Sequence, residues 1–445
     1  MNLSNYDALF DQHFPALLQR YQTLLTEQNY DYLVIPSGEP IGQYLDDMGY
    51  PFKPNPHFKA VLPLTALPHS YIVMTQQGKP ELIYYQPVDF WHSVPEDPAG
   101  PWTRHVDIHL IDQPQKALPL LKKEGRGVLL GQSSELLKAM DFSAHNPESL
   151  VFPLYWQRAY KSAYEIECMA EANRIAAKAH NAARDAFYAG ESEQGINLAY
   201  IKATGAMEND MPYGNIVALN HNAAILHYTD SSAQVFAEAD RHSFLIDAGA
   251  QVHGYASDIT RTYAYQQDNE FAEMITAMDE MQLALVEQIV PGKSYIDLHR
   301  DTHLRTAAIL KQFGFVDMEP EAMVDSGVSG VFFPHGLGHQ IGLQVHDVGG
   351  HQTAKEGGVT PPPEMFPFLR NTRVLEEGQV VTIEPGLYFI DSLVAPLQQS
   401  EHVKAINWDK IEAFKHFGGI RIEDDVVVTE QGHRNLSREA FAELD

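Results

Sequence analysis

The sequence is short of three things, and each shortage excludes a class of protein. It has one cysteine, Cys168, in 445 residues, so no disulfide framework can form within the chain. It is short of positive charge: 31 lysines and arginines stand against 59 aspartates and glutamates, a formal charge of −28. A nucleic acid held through its phosphates needs clustered Lys and Arg, so no such partner is expected, and the acidic excess reads as a solubility feature. No stretch approaches the roughly 18 uninterrupted apolar residues of a membrane span, so no membrane partner is expected either. The opening Met1-Asn-Leu-Ser-Asn-Tyr-Asp lacks a basic start and a long apolar stretch, and Asp7 and Asp11 fall where a signal peptide would be apolar. The expectation is a cytoplasmic protein. What is present is ordinary for a globular chain. A hydrophobic fraction of 44% argues against disorder, and the length allows two or three domains around a large core.

The first part of the chain alternates helical and strand patterns. Leu17, Leu18, Tyr21, Leu24 and Leu25 are spaced as one face of a helix over 14–28. Tyr32–Pro36 reads as a strand, Tyr71–Met74 and Glu81–Tyr85 as a hairpin, and 106–111 and 127–130 as further strands around a helix near 115–123. Ser162 and Glu165 are spaced as a capping box ahead of a long helical run through Ala186. That start places a domain boundary near 160, giving an N-terminal mixed α/β domain over 1–160 and a second domain over 161–445. Cys168, within the helical run, reads as a buried apolar residue.

The second domain carries the chemistry. Residues 244–263 read as two strands joined by a turn around Val252, His253 and Gly254. With the turn centred between Val252 and His253, Asp247 faces Asp258, their Cβ atoms about 4.5–5.5 Å apart. Two aspartates opposed among Phe244, Leu245 and Ile246 repel unless protonated or bridged by a cation. Residues 332–347 hold three histidines, His335, His339 and His346. His335 and His339 have i, i+4 spacing, but Gly336, Gly338 and Gly342 disfavour a helix, and the glutamate of a zinc-protease helix is missing. The glycines read instead as close passage of the backbone past a site. Glu384 ends a strand at Pro385-Gly386, and in 418–428 the alternation puts Arg421, Glu423 and Asp425 on one face. Four carboxylates around one pocket call for two divalent cations. Oxygen-rich ligation with one imidazole suits Mn²⁺, with Co²⁺, Fe²⁺ or Zn²⁺ as alternatives, and two such ions sharing a water bring hydroxide within reach near neutral pH.

These five motifs resemble the metal site of the pita-bread metallopeptidases, which include methionine aminopeptidase, aminopeptidase P and prolidase. Wider strings, among them 214–220, 225–229, 333–339, 343–350, 382–386, 419–424 and 44–53, are similar to the long-form bacterial Xaa-Pro dipeptidases and to the neighbouring organophosphorus acid anhydrolases. The resemblance implies an α+β architecture, an N-terminal α/β domain serving oligomerisation and pocket closure before a pita-bread catalytic domain. It implies hydrolysis of Xaa-Pro dipeptides by a hydroxide activated by two metals, with promiscuous phosphotriester hydrolysis. Asp258 and Glu423 would bridge the metals, Asp247 would complete one, and His339 and Glu384 the other. Glu384 would also shuttle a proton to the leaving nitrogen. His227 and His346 would stabilise the tetrahedral intermediate. Arg421 would pair with the dipeptide's carboxylate, His335 would line that pocket, and Tyr213 and Asp46, the latter from a partner subunit, would shape the other side. A homodimer or homotetramer is implied. Two alternatives stand beside this reading: an aminopeptidase P-like enzyme acting on longer peptides, and a non-catalytic binding protein of the same fold.

Overall fold

The computed structural model describes residues 3–444; Met1 and Asn2, part of the start that was read for a leader, lie outside them. The chain divides into two compact units. The N-terminal unit is Met1–Gln157 with Ser162–Glu167 and Lys355–Gly357, and the C-terminal unit is Arg158–Lys161, Cys168–Ala354 and Gly358–Asp445. Among the described residues, no helix is long and apolar enough to cross a membrane.

The N-terminal unit is built on a six-stranded sheet of β1 (Tyr32–Pro36), β2 (Tyr71–Thr75), β3 (Glu81–Tyr85), β4 (Asp107–Ile111), β5 (Gly127–Leu129) and β6 (Ala144–His145). Their order is β4-β3-β2-β1-β5-β6. The pairs β1–β2 and β2–β3 are antiparallel, and β3–β4, β1–β5 and β5–β6 are parallel. The sheet's centre is apolar on both faces, with Val34, Ile35, Ile72, Val73, Leu82 and Ile83 all buried, as strands covered on two sides require. The first helix, Leu3–Glu27, starts well before the expected Phe14 and runs through Pro15. Burial of Phe10 and Phe14, whose rings lie 5.7 Å apart, outweighs the break that proline favours.

The helix Ala163–Ala189 begins as its cap predicts: the Ser162 N–H donates to Glu165 Oε2 (2.8 Å) and the Glu165 N–H to Ser162 Oγ (3.4 Å). Ala172, Ala176, Ala179 and Ala183 recur on one fully buried face, where small side chains permit close packing. In the C-terminal unit, β7 (Ile216–Leu219), β8 (Ser243–Asp247) and β11 (Thr260–Ala264) form an antiparallel sheet, with the ribbon β9 (Gln251–Val252) and β10 (Tyr255–Ala256) extending its hairpin. After a short pair, β12 (Gln352–Ala354) and β13 (Gly357–Val359), come β14 (Val380–Ile383), β15 (Gly386–Tyr388), β16 (Gly419–Arg421), β17 (Asp424–Val428) and β18 (His433–Asn435). They pair as β14-β17-β18 and β15-β16. The helices Glu270–Val286 and Tyr295–Gln312 pack Phe271, Met274, Met278 and Leu298 into a core with Val381, Ile383, Leu387, Ile420 and Val426 from these strands. Burying each such side chain is worth roughly 1.5–3 kcal/mol, which makes this core a firm support for the strand ends that carry the site.

Two expectations need correction. The hairpin register differs by two: Tyr255 pairs with Val252 and Thr260 with Asp247. The turn is therefore centred on His253-Gly254, both at positive φ (52° and 88°), the geometry of a two-residue hairpin turn. Asp247 faces Thr260, and Asp258 lies on a diagonal from it. The strand expected over 418–428 is also broken. β16 pairs with β15 and β17 with β14, while between them Ile422 donates to Pro385 O (3.3 Å) and Glu423 to Thr260 O (3.0 Å).

Candidate metal centre

The site is assembled from strand ends and strand breaks. Asp247 closes β8, Asp258 sits between β10 and β11, Glu384 directly follows β14, and Glu423 occupies the break between β16 and β17. The Glu384 N–H donates to Leu337 O (2.8 Å). His339 comes from the glycine-rich loop, its N–H donating to Thr382 Oγ1 (3.1 Å). The glycine before it is required: Gly338 has φ +155°, and a Cβ there would lie 2.2 Å from Thr382 O. Donor atoms of Asp258, His339 and Glu423, all buried, lie within 4.8 Å of one another.

Around this nucleus the remaining contacts are specific. His339 Nδ1 lies 3.0 Å from Gln340 O. A carbonyl only accepts, so Nδ1 carries the proton and the Nε2 lone pair is free, the arrangement usual for a metal-ligating histidine. Nε2 lies 3.5 Å from Asp258 Oδ2 and 3.8 Å from Glu384 Oε1. Thr260 donates its hydroxyl to Glu423 Oε2 (2.7 Å). The Tyr213 oxygen lies 2.8 Å from Asp247 Oδ1 and 2.5 Å from Asp258 Oδ1, joining the two aspartates that direct pairing does not. Arg421, 4% exposed, donates from NH2 to Asp247 Oδ2 (2.8 Å), from NH1 to the Tyr388 oxygen (2.9 Å) and from Nε to Thr260 Oγ1 (3.3 Å). One N–H remains on each terminal nitrogen. The Tyr388 hydroxyl in turn donates to His335 Nε2 (2.8 Å), because His335 Nδ1 donates to Gly336 O (2.8 Å).

The electrostatics show what this cluster lacks. Burial, with the charge of Asp258, pushes the Asp247 carboxyl up to about 6. Burial pushes Glu384 up to about 7, aided by Asp258 and Asp247 against the pull of His339 and Arg421. Burial and the Asp258 and Glu384 charges hold Glu423 well above the ordinary range. For Asp258, burial acts upward but is outweighed by the hydrogen bond and charge of His339, so it lies low. Burial lowers the His339 imidazole, yet Asp258 and Glu384 carry it upward overall. Four carboxylates thus share one imidazole and one guanidinium, and three of them resist ionisation. Divalent cations are the missing charge, and four carboxylates with one imidazole nitrogen are a donor set that suits them. The residues present fit two such ions.

A cavity of about 520 Å³ opens onto these groups. His227, His335, His346 and Arg421 line it, as do Leu226, Phe368 and Leu369. Burial lowers His335 to about 3 and His346 to about 4, so both are neutral in neutral solution. Tyr213 is not among the lining residues, and its hydroxyl serves the aspartates instead. Asp46 belongs to the N-terminal unit, where it is exposed and accepts the Met48 N–H (3.0 Å); it is not among the lining residues either. Sequence reasoning missed Thr260, Tyr388 and Arg370. Thr260 and Tyr388 look like ordinary strand residues until the break at Glu423 brings them to the site. Arg370 lines the cavity from the end of the proline-rich loop, and only its nearness to that loop could have signalled it.

Residues 167–430 match metallopeptidase family M24, and residues 8–156 match the family described as Xaa-Pro dipeptidase, N-terminal domain. The Xaa-Pro dipeptidase of Aeromonas hydrophila is 50% identical over 441 residues, covering 98% of this chain and 100% of its own. That of Pseudoalteromonas haloplanktis is 49% identical over 431 residues, covering 97% and 98%. Among solved structures, aminopeptidase P from E. coli with the inhibitor Pro-Leu superposes with a TM-score of 0.72 at 22% identity, covering 96% of this chain and 97% of that one. The Pseudomonas aeruginosa aminopeptidase PepP gives 0.73 at 23%, covering 100% and 97%. These likenesses bear on the fold, and it is the expected one: an N-terminal α/β domain followed by a pita-bread domain.

Proposed function

The chain belongs to metallopeptidase family M24, and from that premise we propose that it hydrolyses Xaa-Pro dipeptides to a free amino acid and proline. The observation that carries the reading is the convergence of Asp258, His339 and Glu423 donors within 4.8 Å at the floor of a cavity sized for a dipeptide. Relatives 47–50% identical over nearly the whole chain, named Xaa-Pro dipeptidase, support the substrate class. Two divalent ions, Mn²⁺ first and Co²⁺ or Zn²⁺ next, would be held by Asp247, Asp258, His339, Glu384 and Glu423. When bound, they polarise the scissile carbonyl and lower the pKa of water.

The chain's own groups do the rest. The bond before proline is a tertiary amide without an N–H, so its nitrogen must be protonated to leave. Glu384 takes a proton from the attacking water and returns it to that nitrogen as the C–N bond breaks. His346, neutral at working pH, and His227 donate hydrogen bonds to the oxygen that gains charge. The free N–H groups of Arg421, with the exposed Arg370 lining the same cavity, pair with the dipeptide's carboxylate. His335 acts as a wall, because both its nitrogens are already engaged. Tyr213 acts by orienting the aspartates. Asp46, carried with Tyr44 and Leu45 on an exposed segment, reaches the site of a partner copy in a homodimer or homotetramer. A phosphotriester, tetrahedral like the peptide intermediate, is a promiscuous substrate.

Proline release from Met-Pro by metal-stripped protein tests the reading. Release that requires Mn²⁺ and is lost in Asp258→Asn is expected. Faster cleavage of a Met-Pro-Ala tripeptide than of Met-Pro would shift the substrate to longer peptides. A folded protein inactive on both with any divalent metal would overturn hydrolysis altogether.

A further inference from the structure

Four residues, Arg158–Lys161, belong to the C-terminal unit although the segments before and after them belong to the N-terminal one. They are not a slack linker. The Lys161 N–H donates to Gly378 O (2.7 Å), and Tyr160 pairs with Gln379, immediately ahead of the strand β14 that leads to Glu384. The side chains reach the other half of the site. Arg158 donates from NH2 to Asp347 Oδ1 and to Gln344 Oε1 (3.1 Å). Lys161 Nζ lies 3.9 Å from Asp347 Oδ2. The Lys161 and Asp347 side chains are 1% and 2% exposed.

Asp347 directly follows His346, and its N–H donates to Gln340 O (2.8 Å), next to His339. The loop is thus closed at its base, with His339 at one end and His346 at the other, their rings 4.4 Å apart and tilted by 72°. Gly342, in the loop's middle, admits the clamp: a Cβ there would lie 2.6 Å from Asp347 Oδ2 and 2.9 Å from Lys161 Cε. A buried ion pair is a poor way to gain stability, since its desolvation cost matches or exceeds its attraction and apolar replacements of similar volume often do as well. What a fixed guanidinium does provide is direction: one terminal nitrogen of Arg158 serves both Asp347 and Gln344.

We infer that Arg158, Lys161 and Asp347 form a buried clamp that positions the His339–His346 loop against the strand carrying Glu384, setting the spacing of a metal-binding and an intermediate-binding histidine. All three are positioning residues. The inference rests on the proposed function for the two histidines' roles and for its kinetic readout.

The test compares Arg158→Lys and the double variant Arg158→Met/Asp347→Leu with the wild type. Thermal unfolding, Mn²⁺ titration calorimetry and Met-Pro kinetics are measured on each. Removing both charges should leave the melting temperature nearly unchanged while kcat falls at least tenfold, KM stays within threefold and one Mn²⁺ equivalent binds at least fivefold more weakly. Arg158→Lys, which keeps the charge without the planar guanidinium, should fall between. Mn²⁺ binding and kcat within twofold of wild type in either folded variant would overturn the clamp. If the double variant does not fold, Arg158→Lys decides alone by the same criteria. If the wild type cleaves no Xaa-Pro dipeptide, the functional reading fails, and the Mn²⁺ titration still decides the clamp.

Discussion

At the scale of the residue, the site is as much a matter of orientation as of composition. The acidic and histidine candidates are visible in the sequence because carboxylates between apolar neighbours are costly and therefore conspicuous. Their holders are not. Thr260 has no chemical signature, yet its hydroxyl fixes Glu423 Oε2 at 2.7 Å and its carbonyl takes the Glu423 N–H. Partners one step removed from a metal typically contribute tenfold to a hundredfold in affinity. Thr260→Val keeps the shape and removes the hydroxyl's bonds to Glu423 and from Arg421 Nε, so Mn²⁺ should bind about tenfold more weakly. Calorimetric titration checks this, and an unchanged affinity would mean that the backbone contact alone holds Glu423. The arginine network has the same character: the sequence shows Arg421 in an alternating strand, but only the break at Ile422–Glu423 explains why it turns inward toward Asp247 and Tyr388.

At the scale of the element, strands, long helices and caps were legible and geometry between them was not. The strand Tyr32–Pro36 and the cap Ser162/Glu165 follow from local pattern, because burial and capping are local decisions. The hairpin around His253 lies two positions out of the register its pattern predicts. The reason is that His253 adopts φ 52°, a left-handed conformation that side chains other than Asn, Asp and Gly take up at a cost, so nothing in the sequence centres the turn there. Gly254, at φ 88°, completes that turn. Gly254→Ala should therefore cost about 1–2 kcal/mol of stability, measured by urea unfolding. It should also weaken metal binding, since the turn sets where Asp258 stands relative to Asp247. A stability change with an unaltered Mn²⁺ titration would show that the broken segment between β10 and β11 absorbs the strain. The helix Leu3–Glu27 makes the complementary point, since a proline at its midpoint hides the turns before it, which buried phenylalanines stabilise.

At the scale of the whole molecule, a chain with 28 excess negative charges gathers four of its carboxylates at one point, Asp258 and Glu423 buried and Asp247 and Glu384 half-buried, and folding without metal must contend with that. A carboxyl whose pKa rises on folding adds stability in full below its unfolded value and loses it as pH climbs through the folded one. For Glu384 that window runs from its ordinary 4.5 to about 7. The overall pH profile of the metal-free protein does not isolate this effect, because histidines whose pKa folding lowers, such as His335 and His346, act oppositely, losing stability as pH falls. A difference between two proteins does isolate it. Glu384→Gln removes the titration and keeps the shape. Without metal, the variant should match wild type near pH 4 and exceed it at pH 8, by at most about 3 kcal/mol. With saturating Mn²⁺ the order should reverse, since the wild type regains a charged ligand and ions that bind only the folded state stabilise it by mass action. The crossing is the informative result. A variant less stable than wild type at pH 8 in the absence of metal would mean that Glu384 is favourably ionised in the folded protein, and the charge deficit assigned to this site would not exist.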